Sequence, residues 1–149
     1  MGRYAFHLLG CESEAEEAVQ DAFVRAYRSL ATYQERERFG AWILRILVNR
    51  CRTRLVRDRR REETAAAWAR EADPPFESCD RLAMRDELAV ALAQLPSEQR
   101  EAVVLRYADD LDYDEIASIT GAGISALKMR VKRGCERLRA ILEASRAES

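Results

Sequence analysis

The chain has 149 residues, 48% of them apolar and 34% charged, with a formal net charge of −1. That is enough for one ordinary domain or two very small ones, globular rather than disordered. No window approaches the roughly 18 uninterrupted apolar residues of a membrane span, and the first residues carry no signal-peptide pattern. Cys11, Cys51, Cys79 and Cys135 are scattered with no C-x-x-C pair, which favours neither a zinc ribbon nor a disulfide scaffold. Three prolines and six glycines, with many alanines, leucines and arginines, point to an all-α, metal-free, cytoplasmic protein.

The small net charge conceals a strong separation. Cys11 to Phe23 carries five acids and no base, whereas Arg45 to Arg61 carries eight arginines against Asp58 alone. Asp109 to Glu115 is acidic again, and Lys128 to Arg139 sets six bases against Glu136. Basic helix faces are often merely solvated, but two basic and two acidic segments fit two polyanion-binding surfaces with acidic faces for protein partners.

In chain order, Glu14 to Leu30 is apolar at Ala15, Ala18, Val19, Ala22, Phe23, Ala26, Tyr27 and Leu30, the spacing of an amphipathic helix. Ser13 is the expected N-cap and Glu16 its capping-box partner. Tyr33 to Arg38 reads as a loop. Phe39 opens a long helix with Trp42, Ile43, Ile46, Leu47, Cys51 and Leu55 on one side and Arg45, Asn49, Arg52 and Val56 opposite. From Glu62 to Asp80 the periodicity fades and Pro74-Pro75 breaks any helix, so this stretch is expected to link two domains. Helical patterning resumes at about Leu82, pauses at Pro96 and continues from Glu98 to Tyr107.

Asp112 to Arg139 has the pattern of a helix-turn-helix. Asp112 and Glu115 form a capping box, Ile116 and Ile119 point inward, and Gly121 supplies the left-handed residue that ends the first helix. The second helix turns Leu127, Val131, Leu138 and Leu142 to the core. Ser125, Met129, Lys132, Arg133 and Glu136 stand opposite, with Lys128 and Arg130 on the shoulders. An apolar back, a front that reaches base edges and flanking cations for phosphates are what a DNA-recognition helix needs.

At Leu95-Pro96-Ser97-Glu98-Gln99-Arg100-Glu101 through Tyr107, then Tyr113 to Ala117 and Leu127 to Arg130, the chain resembles region 4 of bacterial extracytoplasmic-function (ECF) sigma factors. Ala15 to Tyr27 and Phe39 to Arg50 resemble their region 2. The two matches, in order and separated by a spacer, cover nearly the whole chain apart from the linker. The resemblance implies two small helical domains joined by a flexible linker: a sigma region 2 over residues 1–61, a linker over 62–81 and a sigma region 4 over 82–149. It implies that the first domain docks on the β′ clamp helices of core RNA polymerase and melts and reads the −10 promoter element. The second binds the β flap and reads the −35 element as duplex.

Carried over by position, Glu17, Gln20, Asp21, Phe23 and Val24 match the polymerase-binding helix. Trp42, Arg45, Asn49, Arg52 and Arg59 match −10 engagement. Ser125, Lys128, Met129, Arg130, Lys132 and Arg133 match the −35 reader. The resemblance also implies an anti-sigma factor, and a monomer without cofactor, metal, membrane insertion or catalytic site. The family has further helix before the position of Tyr4, so region 2 is expected to be abbreviated. Thr53 replaces a usual acid, Arg50 and Arg52 replace usual apolar residues, Met129 stands where a small hydroxyl is common, and Ser125-Ala126 replaces Gly-Thr.

Plainer roles are open for several residues. Phe39 and Trp42 fit a core as well as DNA engagement, Cys51 and Cys135 fit as small core residues, and Trp68 fits a partner anchor or local packing. His7 and Cys11 are two candidate ligands, too few for a metal site. A free-standing duplex-DNA regulator would have no use for the acidic face of Glu14 to Asp21. A DNA-processing enzyme would need a nucleophile or clustered carboxylates, for which only Asp109 to Glu115 offers itself.

Overall fold

A computed structural model describes residues 2–36, 38–68 and 87–148, excluding the side chains of 66–68. Over these residues the chain is helical: α1 (Gly2–Leu9), α2 (Glu12–Arg28), a short 3-10 turn (Leu30–Thr32), α3 (Phe39–Trp68), α4 (Glu87–Ala93), α5 (Ser97–Tyr107), α6 (Tyr113–Thr120) and α7 (Ile124–Glu148). The all-α expectation holds. The expected linker from residue 69 onward, its Pro74-Pro75 break, Cys79 and the resumption of helix at Leu82 lie outside the described residues.

Local chemistry sets most boundaries. At α6 both halves of the capping box form: Glu115 N–H donates to Asp112 Oδ1 at 2.8 Å and Asp112 N–H donates to Glu115 Oε2 at 3.0 Å. The helix ends at Gly121, whose φ of 74° is left-handed and suits glycine. The start of α2 corrects the expected cap: Cys11 is the N-cap, with no side-chain cap bond, and the helix begins at Glu12 rather than after Ser13. Likewise α3 runs on to Trp68, about two turns into the expected linker, because 62–68 holds three alanines and no Gly or Pro.

Helices α1–α3 form one group and α4–α7 another, with α7 packed against α4, α5 and α6. The two groups also meet, α3 on α6 and α1 on α4 and α5, so that one core is continuous across both. Tyr4, Leu8, Leu47 and Cys51 from the first group share it with Leu92, Leu105 and Ile116 from the second. This explains why α3 buries a wider stripe than its periodicity implied: Leu44 and Val48 are buried alongside Ile43 and Leu47. A smaller cluster gathers Ala26, Trp42 and Ile43, with Tyr33 and Ile46 against it.

Helices α5 and α7 approach each other tightly at Gly134. A Cβ there would lie 2.6 Å from Val103 Cγ2 and 3.4 Å from the Gln99 carbonyl oxygen. Gly134→Ala should therefore lose about 1–3 kcal/mol to overpacking, partly offset by about 1 kcal/mol of better helix propensity. Val103→Ala vacates the clashing methyls, so in denaturant titrations the double variant should lose less than the sum of the single losses. Strictly additive losses would mean that no clash exists.

Candidate nucleic-acid and protein interface

On α2 the apolar stripe divides by size. Ala15, Ala18, Ala22 and Ala26 are buried against the neighbouring helices, whereas Phe23, Val24, Tyr27 and Leu30 are 51%, 50%, 81% and 50% exposed. The single inward stripe expected from the spacing is thus corrected: small residues allow close helix approach, and the large ones remain outside it. Apolar side chains of that size left in water along α2 and the 3-10 turn after it are what a protein-partner surface offers. Of the other residues matched to polymerase docking, Gln20 is exposed. Glu17 is bonded by Arg54, and Asp21 Oδ2 accepts from Arg50 at 2.7 and 3.1 Å. The acidic face is therefore partly neutralised by α3.

The residues matched to −10 engagement lie in three settings. Trp42 is only 8% exposed, its ring 5.1 Å from Tyr33 and 5.6 Å from the half-exposed Phe39. Asn49 and Arg59 are exposed. Arg45 and Arg52, placed by periodicity on an outer face, instead turn to the second group. Arg45 donates to Ser118 Oγ at 2.8 Å. Arg52 donates to both carboxylate oxygens of Glu101 at 2.8 Å and to the Thr120 carbonyl at 3.4 Å. Periodicity within one segment could not show this, because the covering element lies far along the chain.

Glu101 is the buried charged residue of this contact, 7% exposed, and it also accepts from the Tyr4 hydroxyl at 3.3 Å. Burial, and then the Glu101 carboxylate, push the Tyr4 hydroxyl well above its ordinary pKa, so it stays protonated and donates. The hydrogen bonds to Glu101 raise Arg52 further above its already high value, so it stays a cation. Arg100 donates to the Leu8 carbonyl from α5 at 2.9 Å, and Arg38 pairs with the capping residue Glu115. Sequence reasoning did not single out Tyr4, Glu101, Ser118 or Arg38 for these roles. One signal was present: arginine recurs at 38, 45, 52 and 59, a seven-residue spacing that keeps side chains on one helix face.

In the helix-turn-helix, α7 turns Leu127, Val131 and Gly134 inward. Ser125, Lys128, Met129, Lys132 and Arg133 are exposed, Met129 by 46%, as a reading face requires. Arg130 is half-buried and sits 3.4 Å from Glu98. Lys128 Nζ lies 5.8 Å from the Tyr113 ring centroid, a cation–π contact that steadies a shoulder cation.

Among the described residues no group of three or more His, Cys, Asp or Glu side chains could hold a metal ion. His7 lies in α1 and Cys11 precedes α2, so they do not share a helix. Cys51 and Cys135 are free thiols, and burial pushes Cys51 up to about 12, which leaves it protonated and unreactive. Among the same residues no helix is long and apolar enough to cross a membrane.

Comparison with known proteins matches residues 2–61 to Sigma-70 region 2 and residues 85–138 to Sigma-70, region 4. The chain is 31% identical to the ECF RNA polymerase sigma factor EcfG of Rhodopseudomonas palustris, over 97% of this chain and 80% of that protein. It is 30% identical to the RNA polymerase sigma-H factor of Pseudomonas aeruginosa, over 83% and 70% of the two chains. Among solved structures it is similar to the sigma factor RpoE of Bartonella quintana in complex with the anti-sigma factor NepR, with 26% identity, a TM-score of 0.76 and coverage of 95% and 89%. CnrH in complex with the cytosolic domain of CnrY gives 26% identity and a TM-score of 0.69, covering 96% and 80%. A capped helix-turn-helix with a basic outward face, an arginine-rich helix beside an acidic one, and both family matches in order lead to one conclusion: the chain belongs to the ECF sigma factors of bacterial RNA polymerase.

Proposed function

We propose that the protein docks on core RNA polymerase in the cytoplasm through the outer face of α2 and selects promoters with α3 and α7, without a catalytic step of its own. Residues 1–61 act at the β′ clamp helices and the −10 element, 62–81 connect, and 82–149 act at the β flap and the −35 element. The observation that carries this reading is the set Phe23, Val24, Tyr27 and Leu30, large apolar side chains held in water beside carboxylates. A regulator working on DNA alone gains nothing from it. Trp42, Arg45, Asn49, Arg52 and Arg59 serve the −10 element, with Trp42 holding the aromatic cluster that presents Phe39. The free protein is a monomer. Because the similar RpoE and CnrH structures are complexes with NepR and CnrY, we also read this chain as the target of an anti-sigma factor.

Transcription in vitro with added core polymerase on a genomic fragment library is the direct test. Protein-dependent transcripts support the reading, and their absence where a known sigma factor works overturns it. For docking, Phe23→Ala with Tyr27→Ala should weaken core binding by at least about tenfold, since each buried aromatic anchor is worth about 1–2 kcal/mol or more. Thermal stability should not change, because both side chains are exposed. Asp21→Asn should cost less, because Asp21 already spends its charge on Arg50. Equal core retention by the aromatic double variant would place the docking face elsewhere.

On the −35 side, Arg133 can pair with guanine O6 and N7, a contact worth about 1–3 kcal/mol of discrimination, while Met129 offers only apolar surface for a thymine methyl. Arg133→Ala should relax preference at one promoter position in a library selection. Lys128→Ala should instead weaken all promoters alike and lower the salt slope by about one. A uniform loss for Arg133→Ala would make that arginine a phosphate clamp.

A further inference from the structure

The two shoulders of the outward face of α7 are held in different ways. Arg130 is half-buried and sits 3.4 Å from the Glu98 carboxylate, which offsets part of its charge. Lys128 is exposed and pairs with no carboxylate among the described residues. It lies instead at an aromatic ring, with Nζ 5.8 Å from the Tyr113 centroid. A lysine gives up much rotamer freedom when it is fixed on a phosphate, so a contact that holds it beforehand favours binding. A carboxylate would hold it and cancel its charge, whereas the face of a ring holds a cation and leaves the charge in place.

The ring is itself fixed by its neighbours. Tyr113 is the first residue of α6, so the capping box of Asp112 and Glu115 sets its backbone. Its side chain is half-buried and packs against the main core. At the end of α5, the Arg106 guanidinium lies 5.5 Å from the Tyr113 centroid and 5.9 Å from that of Tyr107. Arg106 Nη1 donates to the Leu111 carbonyl at 3.0 Å, which ties this brace to the connection between α5 and α6. Lys128 donates no hydrogen bond among the described residues, so its three N–H groups remain open to phosphate oxygens.

Resting on the sigma-factor reading, we infer that Tyr113 is a positioning residue for −35 binding: its ring holds Lys128, charge intact, where the promoter backbone passes α7, and Arg106 holds the ring. The effect runs through a phosphate contact, so it adds affinity for every promoter alike and no sequence preference. The ring face does this work and the Tyr113 hydroxyl is not needed for it.

The test uses the full chain assembled with core polymerase. Position 113 carries tyrosine, phenylalanine, or mono-, di- or trifluorophenylalanine, in chains that keep Lys128 or carry Lys128→Ala. Each fluorine draws electron density from the ring face and weakens its hold on a cation, while the shape of the ring hardly changes. Fluorescence anisotropy reads affinity for a promoter duplex. With Lys128 present, Tyr113→Phe should bind within about twofold of tyrosine. Affinity should then fall stepwise with fluorination, by about two- to fivefold in all, the range of an exposed cation–π contact. In the Lys128→Ala chains the series should be flat. A series flat in both backgrounds, or falling equally in both, would reduce Tyr113 to packing and overturn the proposal. Affinity that rises with fluorination would also overturn it, because the ring would then restrain Lys128 from the DNA. So would a Tyr113→Phe loss as large as that of Lys128→Ala, which would give the role to the hydroxyl. Unsubstituted holoenzyme that transcribes keeps the sigma-factor reading intact under each of these failures.

Discussion

The Glu101 carboxylate lies where two helix groups meet, with almost no access to water. Burying an ionised carboxylate is costly unless a cation and further hydrogen bonds compensate it. Here Arg52 supplies two bonds from the first group and Tyr4 a third. Neither donor belongs to the domain that carries Glu101, so the second domain can bury this residue only by packing on the first. Removing one partner of a fully buried pair costs about 3–5 kcal/mol, and less where, as here, the arginine keeps 38% of its side chain exposed. The polar contact is therefore a determinant of domain position more than a large source of stability. The packing energy comes from the apolar residues around it, Leu8, Leu47, Leu105 and Ile116 among them, at about 1.5–3 kcal/mol for each fully buried large side chain.

That single constraint orders the rest of the molecule. With α6 held on α3, Glu115 of the helix-turn-helix meets Arg38 of the first domain, and the basic side of α7 is left outward. Two residues that depart from the resemblance to the family, Arg50 and Arg52, are both engaged, one with Asp21 inside the first domain and one with Glu101 across the boundary. Opposite charges thus meet in pairs at Arg50, Arg52 and Arg54 of α3, which offsets part of the repulsion within its strongly basic segment.

Much of this was legible in the sequence wherever the cause was local. The Asp112–Glu115 capping box, the left-handed Gly121 and the inward Leu127 and Val131 follow from rules that operate within a few residues, and all are present as expected. What was not legible needed knowledge of distant neighbours. On α2 the spacing of apolar positions was right, but spacing cannot tell that alanines meet the neighbouring helices while Phe23 and Tyr27 do not. On α3 the side opposite the apolar stripe read as solvent-facing because nothing nearby reveals that α6, more than sixty residues away, covers Arg45 and Arg52. Gly134 looked unremarkable for the same reason, since Val103 lies on another helix.

The most direct measurement is the distance between a spin label at Glu12 on α2 and one at Arg139 on α7, introduced through non-natural amino acids and read by double electron–electron resonance. Both positions are exposed and lie outside the buried core. The account predicts one short, narrow distance distribution for the free protein. It predicts a shift to distances longer by several tens of ångströms when core polymerase and promoter DNA are added, because elements centred near −10 and −35 are about 25 base pairs apart, or about 85 Å of straight duplex at about 34 Å per turn. An unchanged short distance in complexes that are actively transcribing would contradict it, because the closed chain would then itself be the working form.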